Sequence, residues 1–158
     1  MTLRALVLDH LEYTFEKEAW QPSLAMAAEG ITARQAAWKP APERHSIWQI
    51  VRHVIHWKQG VLTALDGNPP DYDRLEKTDW PEISGDETAW RADLQMLGTV
   101  SAELKERVAG ASDLDLSSPI ATYKGVADQA MAIRVMRTAT HDIYHAGQIL
   151  YLRALQGV

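Results

Sequence analysis

Apolar residues recur every three or four positions in four long stretches of the chain, which is the spacing of one face of an α-helix. Between these stretches lie prolines, glycines and clusters of short polar residues that end or begin helices. The pattern therefore predicts an all-α protein with four long helices. These helices are expected near residues 2 to 28, 46 to 66, 86 to 109 and 126 to 156.

Short polar motifs mark the expected helix starts. A capping box places Ser or Thr three residues before Glu or Gln, so that each side chain binds a free backbone N–H group of the first turn. Three sites have this form, at Thr32, Ser46 and Ser84. Pro22 interrupts the first stretch and is expected to open a further turn or two that Gly30 closes.

The connections lack a sustained period. Residues 67 to 83 are acidic and contain aromatic side chains, and they are expected to form a long loop that packs over another part of the molecule. Residues 112 to 125 also have loop character, with a weak strand signal only at Pro119 to Tyr123. Four helices in a chain of 158 residues indicate one four-helix bundle domain that spans residues 1 to 158.

The composition excludes several classes of function. With 16 basic and 21 acidic residues and no dense basic block, the chain lacks the electrostatic signature of a nucleic-acid-binding protein. No apolar run approaches membrane-spanning length, and the first residues do not form a signal peptide, so we expect a soluble cytoplasmic protein. Cysteine is absent, which fits a reducing compartment, and any metal must be held by histidines and carboxylates.

Two histidines near the end of the chain suggest a metal site. His141 and His145 are four residues apart, which is about 40° on a helix, so their imidazoles lie on one face. Such a pair can bind one ion, as in the H-E-x-x-H helices of zinc enzymes, although the same spacing also arises by chance. Arg134, Arg137 and Gln148 project on the same side of the helix, where they are candidates for binding a cofactor.

The same helix has a second apolar stripe, roughly opposite the histidines. This stripe can pack against the rest of the core or against a second copy of the chain in a homodimer. It consists of Val135, Ala139, Ile143, Ala146 and Leu150.

A third metal ligand has to come from another helix. In the second helix, His53 flanks the apolar stripe, whereas His56 points nearly away from it and is expected at the solvated surface. His10 is a further inner-face candidate, for which a hydrogen-bonded core role is the expected one. His45 is expected in a loop, and Lys58 falls inside the predicted apolar stripe.

Three segments of the chain resemble proteins of the DinB-like superfamily. The resemblance covers the whole length, and the combination of a histidine in the second helix with H-x-x-x-H and G-Q some 90 residues later is its most specific part. Three positions after the first ligand, the family has a Tyr or another residue. This chain has His56 at that position. The segments are PSLAMAAEGITARQAAWKP, HSIWQIVRHVIHWKQGVL and THDIYHAGQILYLRAL.

The resemblance implies a fold, a metal site and a class of chemistry. Members are up-down-down-up four-helix bundles, often dimeric, with a divalent metal held by three histidines, which fall on His53, His141 and His145 here. Related proteins include transferases that use low-molecular-weight thiols, so a metal-dependent S-transferase or hydrolase is expected, with Arg134 or Arg137 binding an anionic group of a cosubstrate. A non-catalytic metal-containing bundle is the alternative, and three histidines do not distinguish Zn, Ni or Fe.

Overall fold

The computed structural model describes all 158 residues and is predominantly helical. The prediction of an all-α fold is therefore confirmed. None of the helices combines the length and the hydrophobicity that a membrane-spanning segment requires. The elements in chain order are α1 Leu3–Phe15, α2 Leu24–Ala28, α3 Ala33–Ala37, α4 Ile47–Leu65, α5 Tyr72–Lys77, α6 Glu87–Gly110, α7 Asp113–Ser117, β1 Pro119–Ile120, β2 Gln129–Ala130 and α8 Met131–Gln156.

Four of these helices build the core. Helix α4 packs against α6 and α8, and α1 packs against the same two helices from the other side. A cluster of 28 buried apolar residues joins these four helices to α2, α3 and α7, and it includes the fully buried side chains of Trp48 and Trp90. The up-down-down-up order of helix directions stays a prediction.

The first predicted helix is shorter than expected. Helix α1 ends at Phe15, and the residues up to Ser23 form bends and turns instead of continuing to residue 28. Pro22 lacks an N–H group and disfavours a helical backbone at Gln21, so it separates α2 from the segment before it. The side chain of Ser23 then accepts a hydrogen bond from the N–H of Met26 and begins α2.

Two of the three predicted capping boxes are confirmed and one is wrong. Thr32 with Gln35 begins α3, and Ser46 with Gln49 begins α4, each with both reciprocal hydrogen bonds. The third box fails because Asp86, rather than Ser84, caps α6.

The side chains around the start of α6 explain this difference. The Asp86 carboxylate accepts hydrogen bonds from the N–H groups of Thr88 and Ala89. The Glu87 carboxylate, which a capping box would turn back on its own helix, accepts a bond of 2.8 Å from the N–H of Ala33. A tertiary contact has therefore replaced the local motif.

The two predicted loops contain short elements. Helix α5 lies within residues 67 to 83, and α7 lies within residues 112 to 125. Both are too short to show a period in the sequence, since they span only six and five residues. The last helix begins at Met131 rather than residue 126 because Gln129 and Ala130 pair with β1 in an antiparallel ladder.

The second apolar stripe of α8 packs inside the chain. Val135, Ala139 and Ala146 are buried in the main core, and Ile143 and Leu150 are half-buried. Of the two interpretations open for this stripe, the core is thus the correct one, and the stripe is not an exposed interface.

Candidate metal centre

The three histidines predicted as metal ligands lie together between α4 and α8. His141 and His145 lie one turn apart on α8, and His53 faces them from α4. The Nε2 atom of His141 is 3.0 Å from Nε2 of His53 and 2.9 Å from Nε2 of His145. His53 and His145 are buried, His141 is half-buried, and the three form a group that could hold a metal ion.

The ring of His53 is held by two residues of the segment between α5 and α6. Its Nδ1 lies 2.5 Å from Oδ1 of Asp79, which is also buried. A carboxylate only accepts, so Nδ1 carries the proton and Nε2 keeps its lone pair. The indole of Trp80 stacks on one face of this imidazole, with ring centroids 4.1 Å apart and an angle of 11° between the planes.

The ring of His145 is fixed in the same tautomer from within its own helix. Its Nδ1 donates to Oε1 of Gln148 over 2.7 Å, so its Nε2 also presents a lone pair to the group. Gln148 lies three residues further along α8 and therefore sits beside His145 on the helix surface. Gln148, a predicted candidate for binding a cofactor, thus orients a candidate metal ligand in this structure.

All three imidazoles are neutral near pH 7. Burial lowers the pKa of His141 to about 3, helped by the neighbouring rings of His145 and His53. Burial is the main cause that lowers the pKa of His145 to about 4, and the positive charge that His53 carries when protonated contributes to the same shift. Burial also lowers the pKa of His53, although the hydrogen bond to Asp79 opposes this shift. The contact of His53 with Asp79 is therefore a hydrogen bond from a neutral ring.

The three Nε2 atoms cannot all form good hydrogen bonds with one another. His53 and His145 each present a lone pair, and a single proton on Nε2 of His141 would be shared between two acceptors. Without a proton there, three lone pairs would face each other in a buried site. A divalent cation removes this conflict because it binds all three nitrogens, so the residues fit the metal that the resemblance implies.

The other histidines stay outside this group. His56 points away from it, as predicted, but its Nε2 contacts the carbonyl oxygen of Leu75 at 3.0 Å and so links α4 to α5 instead of facing solvent. His10 is half-buried on α1 instead of enclosed in the core, and His45 is an exposed loop residue that stacks on Trp80.

A cavity of about 350 Å³ adjoins the histidine group. His53, His141 and Asp79 contribute to one part of its lining, next to the candidate metal position. The remaining wall combines aromatic, aliphatic and basic side chains. Its main members are Trp57, Val61, Tyr72, Tyr123, Arg134 and Arg137.

Both arginines predicted on the histidine side of α8 reach this cavity, whereas Gln148 does not line it. Arg134 is half-buried, and its guanidinium lies 4.5 Å from the centre of the Tyr123 ring. Arg137 is exposed, and one of its N–H groups donates to Oε1 of Gln129 over 2.6 Å. Neither forms an ion pair within the chain.

Sequence reasoning missed two features of the site. Asp79 and Trp80 belong to the loop expected to pack over another part of the molecule, but no local pattern indicates their contact with His53. Lys58 is fully buried and forms an ion pair of 2.7 Å with Asp142, the neighbour of His141. Its place inside the apolar stripe of α4 was the only signal of that pair.

Comparisons with known proteins identify the family and support the fold. A family model described as the DinB superfamily matches residues 17–149. The fold is similar to the crystal structure of a DinB-like protein from Bacillus cereus, with a TM-score of 0.69 and 15% sequence identity. The match covers 98% of this chain and 91% of that chain. A comparison with curated proteins finds no significant match.

Proposed function

Because this chain belongs to the DinB superfamily, we propose that it is a metal-dependent enzyme in which His53, His141 and His145 bind one divalent ion. The proposal is supported above all by the three Nε2 atoms, which converge at 2.9 and 3.0 Å beside a cavity. Three protein ligands leave coordination positions open, which is typical of reactive rather than structural sites.

The reaction proposed is transfer of a group to a low-molecular-weight thiol. When bound, a divalent ion lowers the pKa of a thiol or water placed beside it toward neutrality and so supplies a nucleophile. The chain contains no cysteine, so a thiol has to come from a second substrate. We propose the cytoplasm as the location, since a reducing compartment maintains such thiols.

Each nearby side chain has a proposed task. Asp79 and Gln148 hold the rings of His53 and His145 so that their lone pairs face the ion. Trp80 covers one face of His53 and keeps water from that side. Arg134 and Arg137 bind an anionic group of a substrate or cosubstrate from the adjoining cavity.

Metal analysis of purified variants tests the proposed ligand set. Wild-type protein is expected to contain close to one divalent ion per chain, and His53→Ala, His141→Ala and His145→Ala are expected to lose it. His56→Ala is the matched control because this residue is on the same helix as His53 but contacts Leu75 instead. Full metal content in all three ligand variants would contradict the proposal.

Activity screening of the metal-containing protein tests the reaction class. An electrophile panel is incubated with and without a panel of small thiols, and consumption that requires a thiol is expected. Consumption without any thiol would identify a hydrolase instead. A protein that holds metal but consumes no electrophile under any of these conditions would support the non-catalytic alternative.

We also propose that the protein forms a homodimer through an exposed face of α8. Four apolar or aromatic side chains lie within an arc of about 40° on this helix, and about half or more of each remains exposed. They are Ile133, Tyr144, Tyr151 and Leu155, with exposed fractions of 48%, 62%, 67% and 50%.

Sedimentation measurements test this interface. Wild type is expected to sediment as a dimer of the 17.7 kDa chain, and the double variant Tyr144→Glu with Tyr151→Glu as a monomer. Leu114→Glu is the control, since Leu114 is also exposed but belongs to α7. A wild-type monomer at high micromolar concentration would exclude the dimer.

A further inference from the structure

We propose that the cavity beside the histidines binds a small organic carboxylate with a flat, apolar body. The carboxylate would lie at Arg134 and Arg137, and the body would lie against Trp57, Tyr72 and Tyr123. The orientation of its other end toward His53 and His141 rests on the proposed function. Binding itself rests only on the residues of the cavity.

The charges around the cavity favour an anion. Two guanidinium groups line it without a carboxylate partner, and one of them is half-buried. The one acidic side chain in the lining, Asp79, is hydrogen-bonded to His53 and oriented by that contact. Burial and the neighbouring charge of Arg137 lower the pKa of Arg134, which indicates that its positive charge lacks compensation. A carboxylate matches the planar geometry of guanidinium groups.

The aromatic wall favours a flat body over a small inorganic anion. The rings of Trp57, Tyr72 and Tyr123 contact one another, with centroids 5.7, 5.9 and 5.3 Å apart. A bound phosphate or acetate ion would leave most of this apolar surface and these ring faces without a contact. The volume of about 350 Å³ is at the small end for ligand pockets and suits one ring with a short side chain.

Unpartnered polar atoms in the same wall point to oxygen acceptors on the ligand. The indole N–H of Trp57, the hydroxyl of Tyr123 and Nε of Arg134 are buried without a hydrogen-bond partner. Buried donors are rarely left unpaired because each one costs free energy. A carboxylate bound in the cavity would supply acceptor oxygens to those of these donors that turn toward it.

Calorimetric titration tests the proposal with four probes of graded chemistry. The probes are phenylacetate, its neutral analogue phenylacetamide, acetate and inorganic phosphate. Phenylacetate is expected to bind at least tenfold more tightly than any other probe. Phenylacetamide binding as tightly would overturn the anion site, and acetate or phosphate binding as tightly would overturn the role of the aromatic wall.

Variants locate the binding. Arg134→Gln is expected to weaken phenylacetate binding at least tenfold and Arg137→Gln several-fold, while Arg91→Gln, an exposed arginine on α6, should have no effect. If Arg134→Gln fails to fold, phenylacetate binding is measured in Arg134→Lys and Arg137→Gln instead. Unchanged binding in the folded variants of both positions would place the ligand elsewhere.

Titration before and after chelator treatment separates this proposal from the proposed metal site. Equal binding in both preparations is expected, because the arginines and the aromatic rings, rather than the metal, contact phenylacetate. Loss of phenylacetate binding on chelation would overturn the inference. A protein that binds phenylacetate but contains no metal as purified would instead count against the proposed function alone.

Discussion

At the scale of single residues, the site depends on the direction of lone pairs. Each imidazole can turn either nitrogen inward, and the hydrogen bond at Nδ1 decides which one does so for His53 and His145. His141 completes the group with Nε2 between the other two. The partners at Nδ1 are therefore as much a part of the proposed site as the ligands.

Replacing Asp79 by Ala is predicted to weaken metal binding by roughly 10- to 100-fold, the usual effect of losing such a partner. Without the carboxylate, the ring of His53 can rotate or change tautomer, so its lone pair no longer points at the ion. The dissociation constant measured by competition with a chelator checks this. Asp73→Asn, an exposed change on α5, is the control and should leave the constant unaltered. An Asp79→Ala variant with wild-type affinity would show that the contact does not orient His53.

At the scale of helices, a buried ion pair ties α4 to α8 next to the site. Lys58 donates to Asp142 and to the hydroxyl of Ser101, with both bonds at 2.7 Å, so α4, α6 and α8 all meet at its ammonium group. Burial raises the pKa of Asp142 to about 6, although the positive charge of Lys58 opposes the shift. The pair therefore fixes the relative positions of the helices that carry His53 and His141.

The variant Lys58→Met is predicted to lower the free energy of unfolding by about 3–5 kcal/mol at pH 8, because it leaves the Asp142 carboxylate buried and unpaired. The decrease in unfolding free energy should be smaller at pH 5, where the Asp142 carboxyl is protonated and uncharged. Urea denaturation of the metal-free protein measures both values. The double variant Lys58→Met with Asp142→Leu should recover most of the stability, since no charge then remains buried.

A matched surface change calibrates this result. Lys105 bridges Glu12 and Glu16 between α6 and α1, but it is partly exposed, and water screens such pairs. Lys105→Met should therefore have a much smaller effect than Lys58→Met. Equal losses for the two variants would mean that burial of the pair does not matter.

At the scale of the whole molecule, the neutral histidines link stability to pH. Their pKa values are about 3 for His141 and about 4 for His145 in the folded state, against 6.5 as the ordinary value. The unfolded chain thus binds more protons below pH 6.5, and the folded state loses stability as the pH falls toward 4. Asp142 acts in the opposite direction between about pH 6 and 4, because its pKa is raised.

The net prediction is a loss on the order of 2–3 kcal/mol in the unfolding free energy of the metal-free protein between pH 7 and pH 5. Urea denaturation across this range measures it. His141→Leu removes one of the titrating groups, so its stability should depend less steeply on pH. A wild-type stability that stays constant or rises between pH 7 and pH 5 would contradict the assignment of neutral, buried imidazoles.

The sequence by itself determined the helical fold and the three candidate ligands. Helical periodicity is a local property, so the stripes of α4 and α8 were readable from the residues, as was the pairing of His141 with His145. Capping motifs such as the one at Ser46 were equally readable because both partners lie within one turn. The position of His53 beside the apolar stripe of the second helix favoured it over His56, and the resemblance to the DinB-like superfamily placed the triad on the same three residues.

Only the tertiary structure decided what surrounds those ligands. Asp79 lies 26 residues from His53 and Asp142 lies 84 residues from Lys58, so no local pattern links them. For the same reason, the sequence did not show that Glu87 binds the N–H of Ala33 instead of completing a capping box. It also did not show that the pairing of β2 with β1 moves the start of α8 to Met131. A hydrogen bond or an ion pair between distant residues is set by how the helices pack, and packing depends on the shape of the whole core.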